Sequence, residues 1–173
     1  MASTRGIVSK PDCPDKLALA IGRFVVHFSY LEFSLWFWFN EIHDDRDAMR
    51  EFVTKEFTEK LRRIRRPIDE STMPVDDRKM FMSLFDRAAA LAITRNLVCH
   101  NPYLTLGSGE NEVHRGAIFG IRKTSLEDVP EIATIPKAGI PEIERFASDA
   151  AVLCEDFYRG LVVLQRHLPL TKK

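Results

Sequence analysis

The sequence predicts an all-α fold, a helical bundle of about four or five helices with a short β-hairpin-like insertion. Apolar residues recur at three- and four-residue steps over several long segments, which is the period of an amphipathic helix. Prolines and short polar stretches separate these segments. The 173 residues are 45% hydrophobic and 29% charged. This length and composition indicate one soluble domain covering residues 1–173.

The first predicted helix follows Pro14-Asp15 and extends for roughly seven turns to Ile42. Apolar residues also lie outside its main stripe, notably in Trp36-Phe-Trp-Phe39. We therefore expect this helix to be covered on more than one side, in a bundle centre or a homodimer interface. The main stripe consists of Leu17, Ile21, Phe24, Phe28, Leu31, Leu35, Trp38 and Ile42.

Two further helices are predicted between residues 43 and 102. The second begins after His43-Asp44-Asp45, where an aspartate caps it, and continues through Phe57 to Ile64 before Pro67 ends it. The polar stretch 69–74 is a loop. A third helix, the motif helix, starts at Asp76, and Asn101-Pro102 closes it. Its pattern contains Phe81, Leu84, Phe85, Ala88, Leu91, Ala92, Arg95 and Cys99.

The pattern changes after residue 102. Strand-like segments at 103–106 and 113–121 flank the turn-rich residues 107–111 and predict a short, irregular β-hairpin. A linker containing Pro130 and Pro136 completes an insertion of residues 103–136. Pro141 suits the first turn of a last helix, and antiparallel helix neighbours are expected throughout. One face of that helix carries Ile143, Phe146, Ala150, Leu153, Cys154, Phe157, Leu161 and Leu164.

Charge and cysteine content indicate a cytoplasmic protein. The formal net charge is zero, so binding to nucleic acid or to an anionic membrane would need a local patch. The N-terminus lacks the apolar run of a secretory signal. The first helix would carry Arg23, His27 and Glu32 into a membrane, which argues against a span. The chain has three widely spaced cysteines, and their spacing does not suit metal ligation. We therefore expect reduced thiols at Cys13, Cys99 and Cys154.

Residues 95–100, at the end of the motif helix, concentrate chemically active side chains. Arg95 stays charged and can bind a phosphate through two parallel hydrogen bonds. His100 can gain or lose a proton near neutral pH, and Asn96 could orient its ring or the phosphate. Helical projection places all three on the apolar side, Arg95 in line with Leu91 and the others with Ile93. These residue types suit metal-independent transesterification of RNA, in which a 2′-hydroxyl attacks the adjacent phosphate.

Arg95-Asn96-x-x-x-His100 resembles the R-x(4-6)-H motif of HEPN domains, in which a polar residue often follows the arginine and the motif lies near the end of a late helix. The segment 24–32 is similar to the first-helix pattern of these domains, with Glu32 following a leucine. The resemblance implies a helical bundle that dimerises so that paired motifs form one cleft. It also implies a metal-independent endoribonuclease of a toxin, phage-defence or RNA-processing system, with no cofactor.

The resemblance assigns roles and partners. Arg95 would hold the scissile phosphate, and Glu32 would support Arg95. His100 would transfer protons, and Asn96 would orient the histidine ring or the phosphate. The partners are RNA, a second copy and an antitoxin protein. HEPN toxins with nucleotidyltransferase antitoxins usually carry a tyrosine two residues past the histidine, whereas Tyr103 stands at the third position. The alternative is a non-catalytic, dimeric interaction or nucleotide-binding module, in which Arg95 and His100 join helices by pairing with Glu32 or a carbonyl.

A basic run at 60–66 is a candidate RNA-binding patch, because clustered cations can bind successive phosphates. The alternative is a solvated helix face balanced by the acidic segment 44–59. Helix capping, not a metal site, explains the aspartates at 44, 45 and 47. Trp36-Phe-Trp-Phe39 is interpreted as packing surface in preference to a base-stacking platform. The cations of the run are Lys60, Arg62, Arg63, Arg65 and Arg66.

Overall fold

The chain folds as a helical bundle in the computed structural model, which describes residues 15–100, 103–106, 115–122, 131–134 and 140–167. Over these ranges it forms α1 (Asp15–Ile42), α2 (Arg46–Val53), α3 (Phe57–Asp69), α4 (Val75–His100), β1 (Tyr103–Leu106), β2 (Arg115–Arg122), β3 (Glu131–Thr134) and α5 (Ile140–His167). The predicted helical bundle is therefore confirmed. Several predicted features lie outside the described residues: Cys13, Asn101-Pro102, the turn at 107–111, Pro130 and Pro136.

Helix α1 occupies the centre of the bundle and contacts α2, α3, α4 and α5. Trp38 is fully buried. Its ring lies 5.1 Å from that of Phe81 and 5.6 Å from that of Phe85, both on α4, and 5.3 Å from that of Phe157 on α5. Burial of such large aromatic side chains is a major source of stability. The expectation that α1 is covered on more than one side is confirmed.

Helices α1 and α5 run parallel, so the expectation of antiparallel neighbours is wrong for this pair. The ring of Phe24 lies 6.1 Å from that of Phe146, and further along both helices Phe37 lies 6.4 Å from Tyr158. Helix α4 runs antiparallel to both and carries the chain back from the end of α1 toward the start of α5. Its side-chain contacts with α5 reverse the order of residue numbers: Asp77 lies within hydrogen-bond distance of His167, and Arg87 forms an ion pair with Asp156.

The second predicted helix is in fact two helices, α2 and α3. Phe52 stacks on Phe39 with ring centroids 4.0 Å apart, and Phe57 packs on Phe28 at 4.7 Å. Positions 28 and 39 are about 16 Å apart along α1, whereas positions 52 and 57 would be only about 7.5 Å apart in a continuous helix and on different faces. The break between α2 and α3 allows both rings to reach α1.

Pro67 does not end α3, which extends to Asp69. Proline removes one helical hydrogen bond because it lacks an N–H. The next residue, Ile68, is buried in the core, and the Glu70 N–H donates to the Arg66 carbonyl at 3.1 Å. Burial of Ile68 thus offsets the bond lost at the proline and holds the last turn in place.

Between α4 and α5 the backbone forms an antiparallel sheet of order β1-β2-β3. Tyr103 is opposite Ile118, and Phe119 is opposite Thr134. Strand β2 lies against α4. Strand β3 falls where the sequence predicted only a linker. The residues that would join β1 to β2 lie outside the described ranges, so the predicted hairpin connection stays a prediction.

Helix α1 is the one helix in the described ranges that is long and apolar enough to cross a membrane. Length and composition alone do not separate a membrane span from the central helix of a bundle. Here the apolar stripe of α1 contributes to a core shared with all four other helices. This arrangement is compatible with a soluble protein.

Candidate functional site

Arg95 and Asn96 form a polar pair near the end of α4. Arg95 Nη1 donates a hydrogen bond to Asn96 Oδ1 at 2.9 Å. The guanidinium also lies over the ring of Phe28 on α1, 5.8 Å from its centroid, which is a cation–π contact. Within the described part of the chain the half-buried Arg95 forms no ion pair. Among the described residues, Phe28 and Asn96 hold the charge in place and no carboxylate pairs with it.

A cavity of about 130 Å³ opens beside Arg95, between α1, the start of α3 and α4. We call it the arginine cavity. Its volume corresponds to about four water molecules, enough for one phosphate-sized group. The cavity brings together three of the predicted site residues, Glu32, Arg95 and Asn96. Further polar lining comes from Lys55, Glu56 and Thr58.

Glu32 is paired with Lys60 and not with Arg95, which corrects the predicted supporting role. Lys60 Nζ donates to Glu32 Oε1 at 2.6 Å, and the two side chains are 11% and 35% exposed respectively. A buried ammonium group needs a counter-charge, and Lys60 takes the carboxylate. Lys60 thus lies against the core and not on a solvated face. The sequence did carry a signal for this burial: Lys60 is three residues after Phe57 and four before Ile64, which places it on the inner stripe of α3 with both.

His100 is separate from the arginine cavity. It is the last residue of α4 and is exposed, as is Asn96. On the same line of the helix Phe85 is buried, as the apolar side predicts, but Ile93 is 64% exposed, so this line leaves the core before it reaches Asn96 and His100. Apolar residues occur all round α4, which makes the buried face ambiguous from periodicity. His100 lies about 7.5 Å further along the helix axis than Arg95, and the cavity lining includes Arg95 but not His100.

The other four cations of the basic run are each paired with a carboxylate. Hydrogen bonds from Arg63 and Lys55 lower the pKa of Glu51 to about 2, and those from Arg62 and Arg63 lower the pKa of Glu59 to about 2. Such pairing reduces the positive potential available to RNA phosphates and favours a solvated helix face. The pairs are Arg62–Glu59 (2.7 Å), Arg63–Glu51 (2.7 Å), Arg63–Glu59 (3.1 Å), Arg65–Asp86 (2.6 Å) and Arg66–Glu70 (2.9 Å).

The acidic cluster before α2 is a helix cap, as predicted. The Asp45 carboxylate accepts a hydrogen bond from the Asp47 N–H at 2.8 Å. The described ranges contain no group of three His, Cys, Asp or Glu side chains placed to hold a metal ion. His43 packs on Phe39 with ring centroids 4.2 Å apart. Burial lowers the pKa of His43, and the nearby charge of Arg63 lowers it further.

The two described cysteines are free thiols. Cys99 is exposed at the end of α4, and Cys154 is half-buried on α5. Burial raises the pKa of the Cys154 thiol, and the charge of Glu155 adds to the effect. A raised pKa keeps a thiol protonated and unreactive, so Cys154 has the properties of a packing residue.

A second cavity, of about 390 Å³, lies on the other side of the Glu32–Lys60 pair. We call it the tryptophan cavity. Phe33 and Trp36 of α1 form one wall, with their rings nearly parallel (3°) and their centroids 6.1 Å apart. Trp36 packs on Phe33 and Phe37, in line with the predicted packing role, but it is only half-buried whereas Trp38 is buried. The remaining lining consists of Ser29, Phe52 and Val53, together with the ion pair.

Comparison with known proteins gives no match. No protein-family model, curated protein or solved structure matches this chain.

Proposed function

We propose that this chain is a HEPN-like, metal-independent endoribonuclease that acts in the cytoplasm. One observation carries the proposal: Arg95 is a half-buried guanidinium that has no carboxylate partner among the residues the structure describes, and Phe28 and Asn96 hold it at the edge of a phosphate-sized cavity. A guanidinium can bind a phosphate through two parallel hydrogen bonds. The resemblance of Arg95-Asn96-x-x-x-His100 to the HEPN motif supplies the reaction.

In the proposed reaction the 2′-hydroxyl of one nucleotide attacks its own 3′-phosphate. The bond from phosphorus to the 5′-oxygen of the next nucleotide breaks, which leaves a 2′,3′-cyclic phosphate and a 5′-hydroxyl end. Arg95 stabilises the negative charge that develops on the phosphate. His100 transfers a proton, from the attacking hydroxyl or to the leaving oxygen. Asn96 orients the guanidinium through the hydrogen bond that joins them.

A second copy of the chain is part of this proposal. His100 and the arginine cavity are separate within one chain, and a dimer can bring the histidine of one copy toward the arginine of the other. Helix α1 offers a surface for such a contact, which we call the α1 stripe. It consists of Leu19, Val26 and Tyr30, which are 55%, 52% and 57% exposed. Their spacing of seven and four residues places them along one helix face, as in a helix-pairing seam.

Cleavage of labelled structured RNA in excess EDTA tests the proposal. We expect wild-type protein to release products ending in 2′,3′-cyclic phosphate, and Arg95→Ala and His100→Ala to lose roughly 100-fold or more in rate. Both variants should keep the wild-type melting temperature, because neither side chain is fully buried. Arg166→Ala, at an exposed arginine of α5, is the matched control and should cleave normally. Undiminished cleavage by His100→Ala, or cleavage that requires a metal, would contradict the proposal.

A non-catalytic interaction module is the second candidate. The observation that favours it is the Glu32–Lys60 pair, since two predicted functional residues here join α1 to α3. In that case neither wild type nor His100→Ala cleaves RNA, although both are folded. A neighbouring gene that encodes an antitoxin-like protein would favour the endoribonuclease, because such a protein is the partner expected of a toxin.

A further inference from the structure

The tryptophan cavity has the shape and chemistry of a nucleobase site, and we propose that it binds guanine. Its volume of about 390 Å³ lies in the range of roughly 300–1,000 Å³ typical of small-molecule sites. Phe33 and Trp36 both line it, with their rings nearly parallel, and the edge-to-face packing of Phe37 against each ring fixes their orientation. Aromatic faces of this kind stack on the face of any base, so the wall provides affinity without sequence preference.

The Glu32–Lys60 pair provides the preference for guanine. One ammonium hydrogen of Lys60 is used on Glu32 Oε1, which leaves two N–H donors on Lys60 and the second carboxylate oxygen on Glu32. Guanine carries the acceptor O6 beside the donors N1–H and N2–H₂, so its edge complements an ammonium group next to a carboxylate. Adenine and cytosine present a ring acceptor where guanine presents N1–H, and that acceptor would face the carboxylate. Uracil shares an acceptor beside a ring N–H, but it has an acceptor where guanine has the second donor, N2–H₂, and so should bind more weakly.

Limited solvent exposure strengthens these contacts. The Lys60 side chain is 11% exposed and that of Glu32 is 35% exposed, and hydrogen bonds in such surroundings compete less with water. Since Glu32 lines both cavities, a base in the tryptophan cavity lies next to the arginine cavity. If the proposed endoribonuclease activity is correct, this neighbourhood favours cleavage beside a guanosine. Binding of the base does not itself depend on that activity.

The two tryptophans of the chain make the site measurable. Trp38 is 0% exposed, whereas Trp36 lines the cavity, so a stacked base should quench the fluorescence of Trp36 alone. We would titrate GMP, AMP, CMP and UMP separately into the full-length wild-type protein. The expected result is saturable quenching by GMP, with a dissociation constant at least about ten-fold lower than that for AMP.

Three variants complete the experiment, with calorimetry as a second measure of binding. Trp36→Leu should abolish both the quenching and GMP binding. Glu32→Gln should reduce the preference for GMP over AMP to within about three-fold, because an amide offers one acceptor in place of two. Tyr158→Leu is the matched control: it removes a half-exposed aromatic that contacts Phe37 outside the cavity and should bind GMP as wild type does. Trp36→Leu keeps the Glu32–Lys60 ion pair, which joins α1 to α3. If Glu32→Gln does not fold, the result for Trp36→Leu therefore decides whether GMP binds in this cavity.

The outcomes separate this site from the proposed activity. Binding of UMP as tight as that of GMP, equal quenching by all four nucleotides, no saturable quenching by GMP, or an undiminished response in Trp36→Leu would overturn the guanine site. RNA cleavage without GMP binding would leave the endoribonuclease standing and remove the base site. GMP binding without RNA cleavage would keep the base site and count against the endoribonuclease.

Discussion

The indole N–H of Trp38 donates a hydrogen bond to the main-chain carbonyl oxygen of Phe157 at a distance of 3.1 Å. This contact joins α1 to α5 in the centre of the core. It requires a close approach of the two helices, which Gly160 permits: a Cβ atom at that position would lie 2.8 Å from Cζ2 of the Trp38 ring. The glycine is thus a packing requirement of the parallel pair α1–α5.

Gly160→Ala is expected to destabilise the protein. The added methyl group would push against Trp38, and such overpacking typically costs about 1–3 kcal/mol, more than the ~1 kcal/mol that alanine gains over glycine in a helix. Urea unfolding of the two proteins measures the difference. Gly22→Ala is the control, since nothing lies within 4 Å of a Cβ there, and it should stabilise by about 0.5–1 kcal/mol. A gain in stability at both positions would contradict the close contact.

His43 should make the fold less stable in mild acid. Its folded-state pKa is lowered from 6.5, first by burial and then by Arg63. Between the two pKa values the unfolded chain binds more protons, so the free energy of unfolding decreases as the pH is lowered below about 6.5. We expect His43→Gln to show a smaller loss of stability between about pH 7.5 and 5.5 in denaturant unfolding. Equal losses in both proteins would show that His43 does not contribute.

Arg63 should control two carboxylates at once, because it donates to Glu51 at 2.7 Å and to Glu59 at 3.1 Å. In Arg63→Met we expect the pKa values of both to rise from about 2 toward the ordinary value near 4.3. The rise should be partial, since Lys55 still pairs with Glu51 and Arg62 with Glu59. A carboxyl-carbon NMR titration measures both values.

Arg66→Met is the control for this titration, because Arg66 pairs with Glu70. This variant should leave the pKa values of Glu51 and Glu59 low, as in the wild-type protein. The lowered pKa values also fix the sign of the effect on stability. The stabilisation is present above the unfolded-state pKa and is lost as the pH falls through about 2. A rise for only one of the two carboxylates in Arg63→Met would show that the arginine does not bridge them.

Tyr30→Glu should dissociate the proposed dimer, because it places a charge in the middle of the α1 stripe. Light scattering coupled to size-exclusion chromatography should then give half the wild-type mass. The melting temperature of the variant should stay within a few degrees at a given protein concentration, since Tyr30 is exposed. Lys79→Glu, at another exposed position, on α4, should remain dimeric. A monomeric wild-type protein would contradict the dimer.

Periodicity was sufficient to predict the buried face of α1, although not that of the last turns of α4. Leu17, Phe24 and Trp38 lie in the core as expected, because a 3.6-residue repeat specifies the inward face directly. The same repeat carries no information about the direction of a neighbour, so the parallel packing of α1 and α5 could not be predicted. The break between α2 and α3 was missed for a related reason: Phe52 and Phe57 find partners on α1 that are far apart.

The candidate site was only partly predictable. Arg95 and Asn96 were identified because adjacent polar residues stand out on an apolar helix, and the structure places both at a cavity. Lys60 was hidden within a run of cations, and its burial depends on a carboxylate 28 residues earlier in the chain. The cavity beside Trp36 depends on packing between helices, which no single helical pattern contains.

The contact between Trp38 and Phe157 spans 119 residues, and this separation sets a timescale for synthesis. At about 5–20 residues per second, a ribosome that has added Trp38 needs roughly 6–24 s more to reach Phe157. Throughout that interval α1, which has the length and hydropathy of a membrane helix, is without the helix that covers it. Transiently exposed apolar surface makes an incomplete chain prone to aggregation, so the delay before α5 emerges is a period in which this nascent chain is open to aggregation.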